Sequence, residues 1–277
     1  MKILSDVITS RQNPTVKWAA SLLEKKYRQE HRTFIAEGEK LTFEAADAKL
    51  DVTHVFVAKS KADRLVPLLK NAFSEQKYDL TQLIVLSDDV FSKISTEKAP
   101  QGVISAIKYL DFFRELDIIY KEDFFLNEGE RAIALCSLRD PGNLGAVIRS
   151  AVAFGVDHVI LTSDSIDVYN PKTVRSAMGS LFRVKITCVR DFSSFISSAI
   201  GNGRRVYAAE LTDNAVSLDK IDASSKDVFI IGNEGHGIPK SISEVCTGSV
   251  YIPISKKTES LNASVAAAIF MWEIGKK

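Results

Sequence analysis

Three short stretches carry residue types that could do chemistry. The first, DPGNLGAVIR at 140–149, sets Asn143 and Arg149 on what reads as one helix. An amide and a guanidinium suit hydrogen bonding to a developing oxyanion or a phosphate. Leu144, Ile148, Ala151 and Val152 recur as a buried helix stripe, and Arg149 lies beside that stripe. Taken alone, Arg149 reads as a helix-edge side chain snorkelling to water. The second stretch, IGNEGHG at 231–237, orders its glycines GxxGxG, with the close pair last, so it is not the dinucleotide fingerprint. Gly232, Gly235 and Gly237 permit a ligand close to the backbone, or serve only a tight turn. Glu234 among them is a carboxylate able to receive a proton. The third stretch, 252–265, places Ser260 and Asn262 ahead of an Ala-rich helix, and alone is a well-capped core helix.

These stretches gain weight from the elements that position them. Strands at 131–137, 157–162, 183–189, 204–209, 227–232 and 249–254 alternate with helices near 144–154, 171–180, 191–200, 239–246 and 263–274. Such alternation predicts a parallel sheet covered on both faces, with ligands at the carboxyl ends of its strands. All three stretches follow strands and so share that end. Asn143 is predicted to cap its helix and Gly155 to end it. Upstream, Asn13 and Pro14 predict a helix through Tyr27, followed by strands at 33–36, 52–58, 82–86 and 102–107 and helices at 39–48 and 61–74.

The 277 residues suit two domains, and 45% hydrophobic with 26% charged residues is ordinary globular composition. Net charge is +1, which excludes a polycation but not a local basic face. Residues 11–32 hold Arg11, Lys17, Lys25, Lys26, Arg28 and Arg32 against only Glu24 and Glu30, whereas 111–130 carry seven acids and two bases. That acidic stretch, shortly after a turn at Pro100-Gln101-Gly102, marks the predicted connection at 109–130 between domains at 1–108 and 131–277. Phe112, Leu116 and Tyr120 recur at helical spacing within it, predicting a short packed helix. Cys136, Cys188 and Cys246 are far apart, so neither disulfide framework nor zinc site is expected, and a reducing cytoplasm fits. Asp6 interrupts the N-terminal apolar stretch, and the longest apolar run, at 263–272, is too short to span a bilayer.

At 140–149, 231–237 and 252–265 the sequence resembles the SpoU (TrmH-like) RNA ribose 2′-O-methyltransferases of the SPOUT superfamily. The motifs keep the order and spacing of that family, and 170–179 (NPKTVRSAMG) is a fourth similar stretch. Residues 9–14 (TSRQNP), Lys17, Phe34, 37–39 (EGE) and 100–103 (PQGV) resemble an appended RNA-binding domain, so the likeness covers nearly the whole chain. It departs at Glu97-Lys98-Ala99, where a Thr commonly precedes Pro-Gln-Gly.

The resemblance implies a C-terminal α/β parallel-sheet domain with a trefoil knot, a smaller N-terminal α/β RNA-binding domain, and a homodimer packed through the knot domain. It implies an S-adenosyl-L-methionine site, with no metal, at Gly232, Gly235, Gly237, Ile252 and Leu261. Arg149 takes the catalytic position, with Asn143, Glu234, Ser260 and Asn262 around it. Because arginine stays protonated, an electrostatic role suits Arg149 better than that of a base. RNA contacts are expected at Arg11, Lys17, Lys25, Lys26, Arg28, Arg32, Lys40, Lys172 and Arg175. Ribosomal RNA is the expected substrate, with transfer RNA, or a non-catalytic RNA-binding protein of the same fold, as alternatives. A nucleotide-binding oxidoreductase is disfavoured by the missing fingerprint.

Overall fold

The structure is a computed structural model that describes residues 1–4, 6–116 and 126–276. In chain order its strands are β1 (Lys2–Ile3), β2 (Thr33–Glu37), β3 (Val52–Ala58), β4 (Gln82–Leu86), β5 (Val103–Lys108), β6 (Phe113–Leu116), β7 (Ala132–Leu135), β8 (His158–Thr162), β9 (Lys185–Val189), β10 (Arg205–Ala209), β11 (Val216–Ser217), β12 (Asp227–Ile231) and β13 (Gly248–Tyr251). The helices are α1 (Pro14–Ser21), α2 (Lys25–His31), α3 (Glu39–Asp47), α4 (Lys59–Ala72), α5 (Asp88–Phe91), α6 (Pro141–Ala153), α7 (Pro171–Ala177), α8 (Phe192–Gly201), α9 (Lys240–Ser243) and α10 (Ala263–Gly275). Among the described residues no helix is long and apolar enough to cross a membrane.

Two compact units emerge. One holds Met1–Leu110 with Asp167–Phe182, and the other holds Asp111–Ile166 with Arg183–Lys277. The sequence reading put 167–182 in the C-terminal domain, whereas here it packs with the N-terminal unit. That unit has a five-stranded sheet ordered β1-β4-β3-β5-β2, in which only β5 runs against its neighbours. Gly38 precedes α3 at φ 115, and α3 takes its cap from a distance, the Gln101 Oε1 accepting from Glu39 N at 2.8 Å. The 37–39 and 100–103 stretches thus meet for a physical reason: one caps the helix that the other begins.

The predicted helix from Pro14 to Tyr27 is broken into α1 and α2. Arg28 explains the break and leaves the expected RNA-contact set. Its side chain is 2% exposed, paired with Asp167 at 2.5 Å. Its Nη1 donates to the carbonyls of Leu22 and Leu23, groups that the end of α1 leaves without helical partners. A buried cation must be paired and hydrogen-bonded, and Arg28 is both. Beside it, Tyr169 is stacked between Phe34 and Tyr109, with ring centroids 4.5 and 4.1 Å away.

The second unit is an eight-stranded, wholly parallel sheet ordered β11-β13-β10-β12-β7-β8-β9-β6. Its core includes Ala134, Ile160, Phe195, Val206 and Ile230. The helix expected around Phe112, Leu116 and Tyr120 is instead the strand β6, parallel to β9, while Tyr120 lies outside the described residues. A spacing of four returns a side chain to the same face in a strand as well as in a helix, so this periodicity does not separate the two. Parallel pairing puts the carboxyl ends of β7, β12 and β13 on one edge, as the sequence predicts.

Arg28→Ala is expected to lower Tm by roughly 10 °C, because removing one partner of a buried ion pair costs about 3–5 kcal/mol. Thermal unfolding checks this, and a change within roughly 2 °C would contradict the structural role of Arg28.

Candidate functional site

The site grows from how α6 begins. Asp140, not the expected Asn143, is its N-cap: the Asp140 Oδ1 accepts from Asn143 N at 2.8 Å, and Pro141 takes the first helical position. The Asn143 side chain is therefore free to reach across strands. Its Nδ2 donates to Glu234 Oε1 at 2.5 Å, and its Oδ1 accepts from Asn262 Nδ2 at 3.0 Å. Asn262 also caps α10, its Oδ1 accepting from Ser264 N at 2.9 Å. One side chain from each of the three motifs thus enters a continuous polar chain, Glu234–Asn143–Asn262.

The loop after β12 is closed by Asn233, which sequence reasoning passed over. Backbone bonds pair Asn233 with Gly237 in both directions, at 2.9 and 3.0 Å. The Asn233 Oδ1 accepts from Gly235 N and His236 N, and its Nδ2 donates to the Ser137 carbonyl at 2.9 Å. An Asn flanked by glycines in a turn was the signal available for this role. The glycines divide their work differently from the expectation of ligand approach at each. A Cβ on Gly232 would stand 2.5 Å from the Gly237 carbonyl carbon, so Gly232 admits the other end of its own loop. Gly237 needs its left-handed φ of 66° and has open space around it. The helix expected from Pro239 to 246 is only the four-residue α9.

A cavity of about 660 Å³ lies between the ends of β10, β12 and β13 and the start of α10. Gly232, Glu234, Gly237, Ile252, Ser260 and Leu261 all line it, together with apolar Val250, Ala266 and Phe270. Gly235, Asn143 and Asn262 do not line it, so Glu234 is the member common to cavity and polar chain. Arg149 is exposed on α6 and has no ion pair among the described residues. Six residues beyond Asn143, it points about 120° away around the helix. The structure does not bring Arg149 into that polar chain. Cys246, half-buried behind the sheet end, has its thiol pushed up to about 12, by burial first and then by Glu210. Among the described residues no group of three His, Cys, Asp or Glu side chains could hold a metal ion.

In the N-terminal unit, Lys17, Lys25, Lys26, Arg32, Lys40 and Lys172 are exposed. Arg11 is held by Asp89 at 2.6 Å and Arg175 by Glu97 at 2.5 Å. With Arg28 buried and Arg11 and Arg175 in ion pairs, the cations left without an ion pair are fewer than the sequence suggests. Arg32 precedes β2 and Lys40 follows it, so the five-residue strand separates them by roughly 17 Å.

Residues 130–272 match the SpoU rRNA Methylase family, and residues 13–105 match an MRM3-like substrate binding domain. The chain is 31% identical, over 96% of its length and 98% of the relative's, to a Bacillus subtilis protein named 23S rRNA (guanosine(2553)-2′-O)-methyltransferase RlmP. It is similar in structure to an AdoMet-bound rRNA methyltransferase from Sinorhizobium meliloti, with 30% identity, a TM-score of 0.81, and coverage of 98% of this chain and 97% of that one.

Gly232→Ala is expected to destabilise the chain by on the order of 1–3 kcal/mol, because the Gly237 backbone must shift. Gly235→Ala, whose Cβ would meet only the Asn233 Oδ1 at 3.5 Å, should stay within about 0.5 kcal/mol of wild type. Equal denaturant midpoints for the two variants would refute this division of the glycines.

Proposed function

The chain belongs to the SpoU rRNA methylase family, and on that premise we propose that it methylates a ribose 2′-hydroxyl in ribosomal RNA, with S-adenosyl-L-methionine as donor. The observation that carries this reading is the cavity of about 660 Å³ whose lining Glu234 is tied to Asn143 and Asn262. The cavity fits such a cofactor in size and chemistry. Val250, Ile252, Leu261 and Phe270 supply apolar walls, and the loops after β12 and β13 supply backbone polar groups. When bound, the cofactor supplies an electrophilic methyl group on sulfur.

The chain's own residues then have to orient a hydroxyl and manage its proton. Asn143, itself held by Asn262, fixes the Glu234 carboxylate, and in this reading Glu234 receives the hydroxyl proton through water. Arg149, permanently charged, stabilises the developing alkoxide or orients the adjoining phosphate. Ser260, at the cavity wall, positions the hydroxyl. The exposed lysines and Arg32 of the N-terminal unit supply phosphate contacts, which release counterions and weaken with salt.

The chain also works as a homodimer in this reading. The α10 sequence, ASVAAAIFMWEIG, has Glu273 as its only charged residue, yet Val265 is 47% and Trp272 52% exposed. A helix that is apolar all round calls for burial on every side. A second copy covers that face, as the homodimers of the resembling family imply. Trp272→Glu should therefore shift the mass measured by light scattering from dimer to monomer. A wild-type protein that is monomeric at micromolar concentration would remove the dimer.

Arg149→Ala decides between catalyst and RNA-binding protein. As an exposed helix residue it should change stability by no more than about 0.5 kcal/mol. Single-turnover methylation of ribosomal RNA should nevertheless fall roughly a hundredfold or more, and Arg149→Lys should recover little because the planar fork is lost. A near-native rate in the Ala variant would take Arg149 out of the mechanism.

A further inference from the structure

Glu210 is a carboxylate that none of the three motifs contains. It follows β10, the strand lying between β12 and β13, and it lines the same cavity as Glu234. Its backbone is fixed, the amide donating to Val250 O at 3.1 Å. Its side chain is half-buried and oriented by Ser249, whose hydroxyl donates to Oε1 at 2.9 Å. The other carboxylate oxygen has no partner among the described residues, and no Lys, Arg or His is in ion-pair contact with it. A partly desolvated carboxylate accepts only, so one hydroxyl leaves most of its acceptor capacity unmet.

We propose that Glu210 is a cofactor-binding residue whose carboxylate accepts hydrogen bonds from the vicinal ribose hydroxyls of the methyl donor. This rests on the methyltransferase reading above. Ala209, Leu211, Val250 and Tyr251 line the cavity with Glu210, and Lys256, the one cation among the lining residues, makes no ion pair with it. The amino-acid end of the cofactor carries a carboxylate beside its ammonium, and that carboxylate would be repelled here. A neutral diol brings two donors and no charge. A carboxylate at the end of a parallel strand accepting from ribose hydroxyls is a recurring solution in α/β sheets. The other lining carboxylates are differently engaged: Glu234 is tied to Asn143, and Glu259 lies in the exposed loop after β13.

Calorimetry on the full chain tests this without RNA and without turnover. The probes are S-adenosylhomocysteine and 5′-methylthioadenosine, the second of which keeps the ribose diol but lacks the amino-acid end. Glu210→Gln keeps the Ser249 contact and removes the charge, and should weaken both ligands about tenfold, as expected for hydrogen bonds to a charged acceptor. Wild type should bind the 2′-deoxy analogue of methylthioadenosine about as weakly as Glu210→Gln does. That comparison reads the diol directly even if the variant shifts Tm. Undiminished affinity for both ligands in Glu210→Gln would overturn the assignment. So would a loss confined to S-adenosylhomocysteine, which would place the amino-acid end at Glu210. Wild-type protein that bound neither ligand would overturn the methyl-donor reading itself, whereas normal wild-type binding with an indifferent Glu210 variant overturns the assignment alone.

Discussion

Parallel pairing of β7 with β12 sets Ser137 beside Asn233, and the Asn233 amide uses both its ends there. Its nitrogen holds the Ser137 carbonyl, while its oxygen holds two amides of the glycine loop. Ser137 is itself held in the left-handed region at φ 55°, a conformation that L-residues keep only when their surroundings enforce it. Thr162 Oγ1 accepts from its amide at 2.8 Å and Asp164 accepts from its hydroxyl at 2.7 Å. Burial would raise the Asp164 carboxyl, but hydrogen bonds from Thr162 and Ser137, with Arg139 alongside, hold it below the ordinary range. Loops after β7, β8 and β12 therefore share one hydrogen-bonded frame, and the Glu234–Asn143 contact hangs from it.

That frame explains why the site uses so many amides. A carboxylate accepts and an ammonium donates, but an Asn side chain does both at a fixed separation. Asn143 joins a carboxylate to a second amide, Asn262 joins Asn143 to a helix N-terminus, and Asn233 joins two loops. Linking three strand ends with bonds of 2.5 to 3.0 Å requires each joint to present both polarities.

Much of this was legible in the sequence, because strand–helix alternation and motif spacing are local. The parallel sheet and the shared edge follow from them, and the grouping of Asn143, Glu234 and Asn262 follows from the family resemblance. What escaped was decided by partners, near or distant, that the sequence pattern does not name. Arg28 reads as surface charge until Asp167, 139 positions away, appears beside it. Asn143 reads as a helix cap until Asp140 is seen to take that place. Gly232 reads as a ligand contact until the far end of its own loop occupies the space. The knotted path belongs to the resemblance, since strand order records which neighbours pair and not which loop passes through which.

The segment at 167–182 shows how far such distant partners reach. It stands in sequence between β8 and β9 of the larger sheet, yet packs in the other unit through Arg28–Asp167, Arg175–Glu97 and the Tyr169 stack. The chain therefore passes between the units after Leu110, after Ile166 and after Phe182. Arg28 and Asp167 belong to the same unit, so their buried ion pair holds the 167–182 segment onto the five-stranded sheet's unit. The burial of Arg28 therefore serves the packing of 167–182 onto its unit, its guanidinium shared between Asp167 and the carbonyls of Leu22 and Leu23.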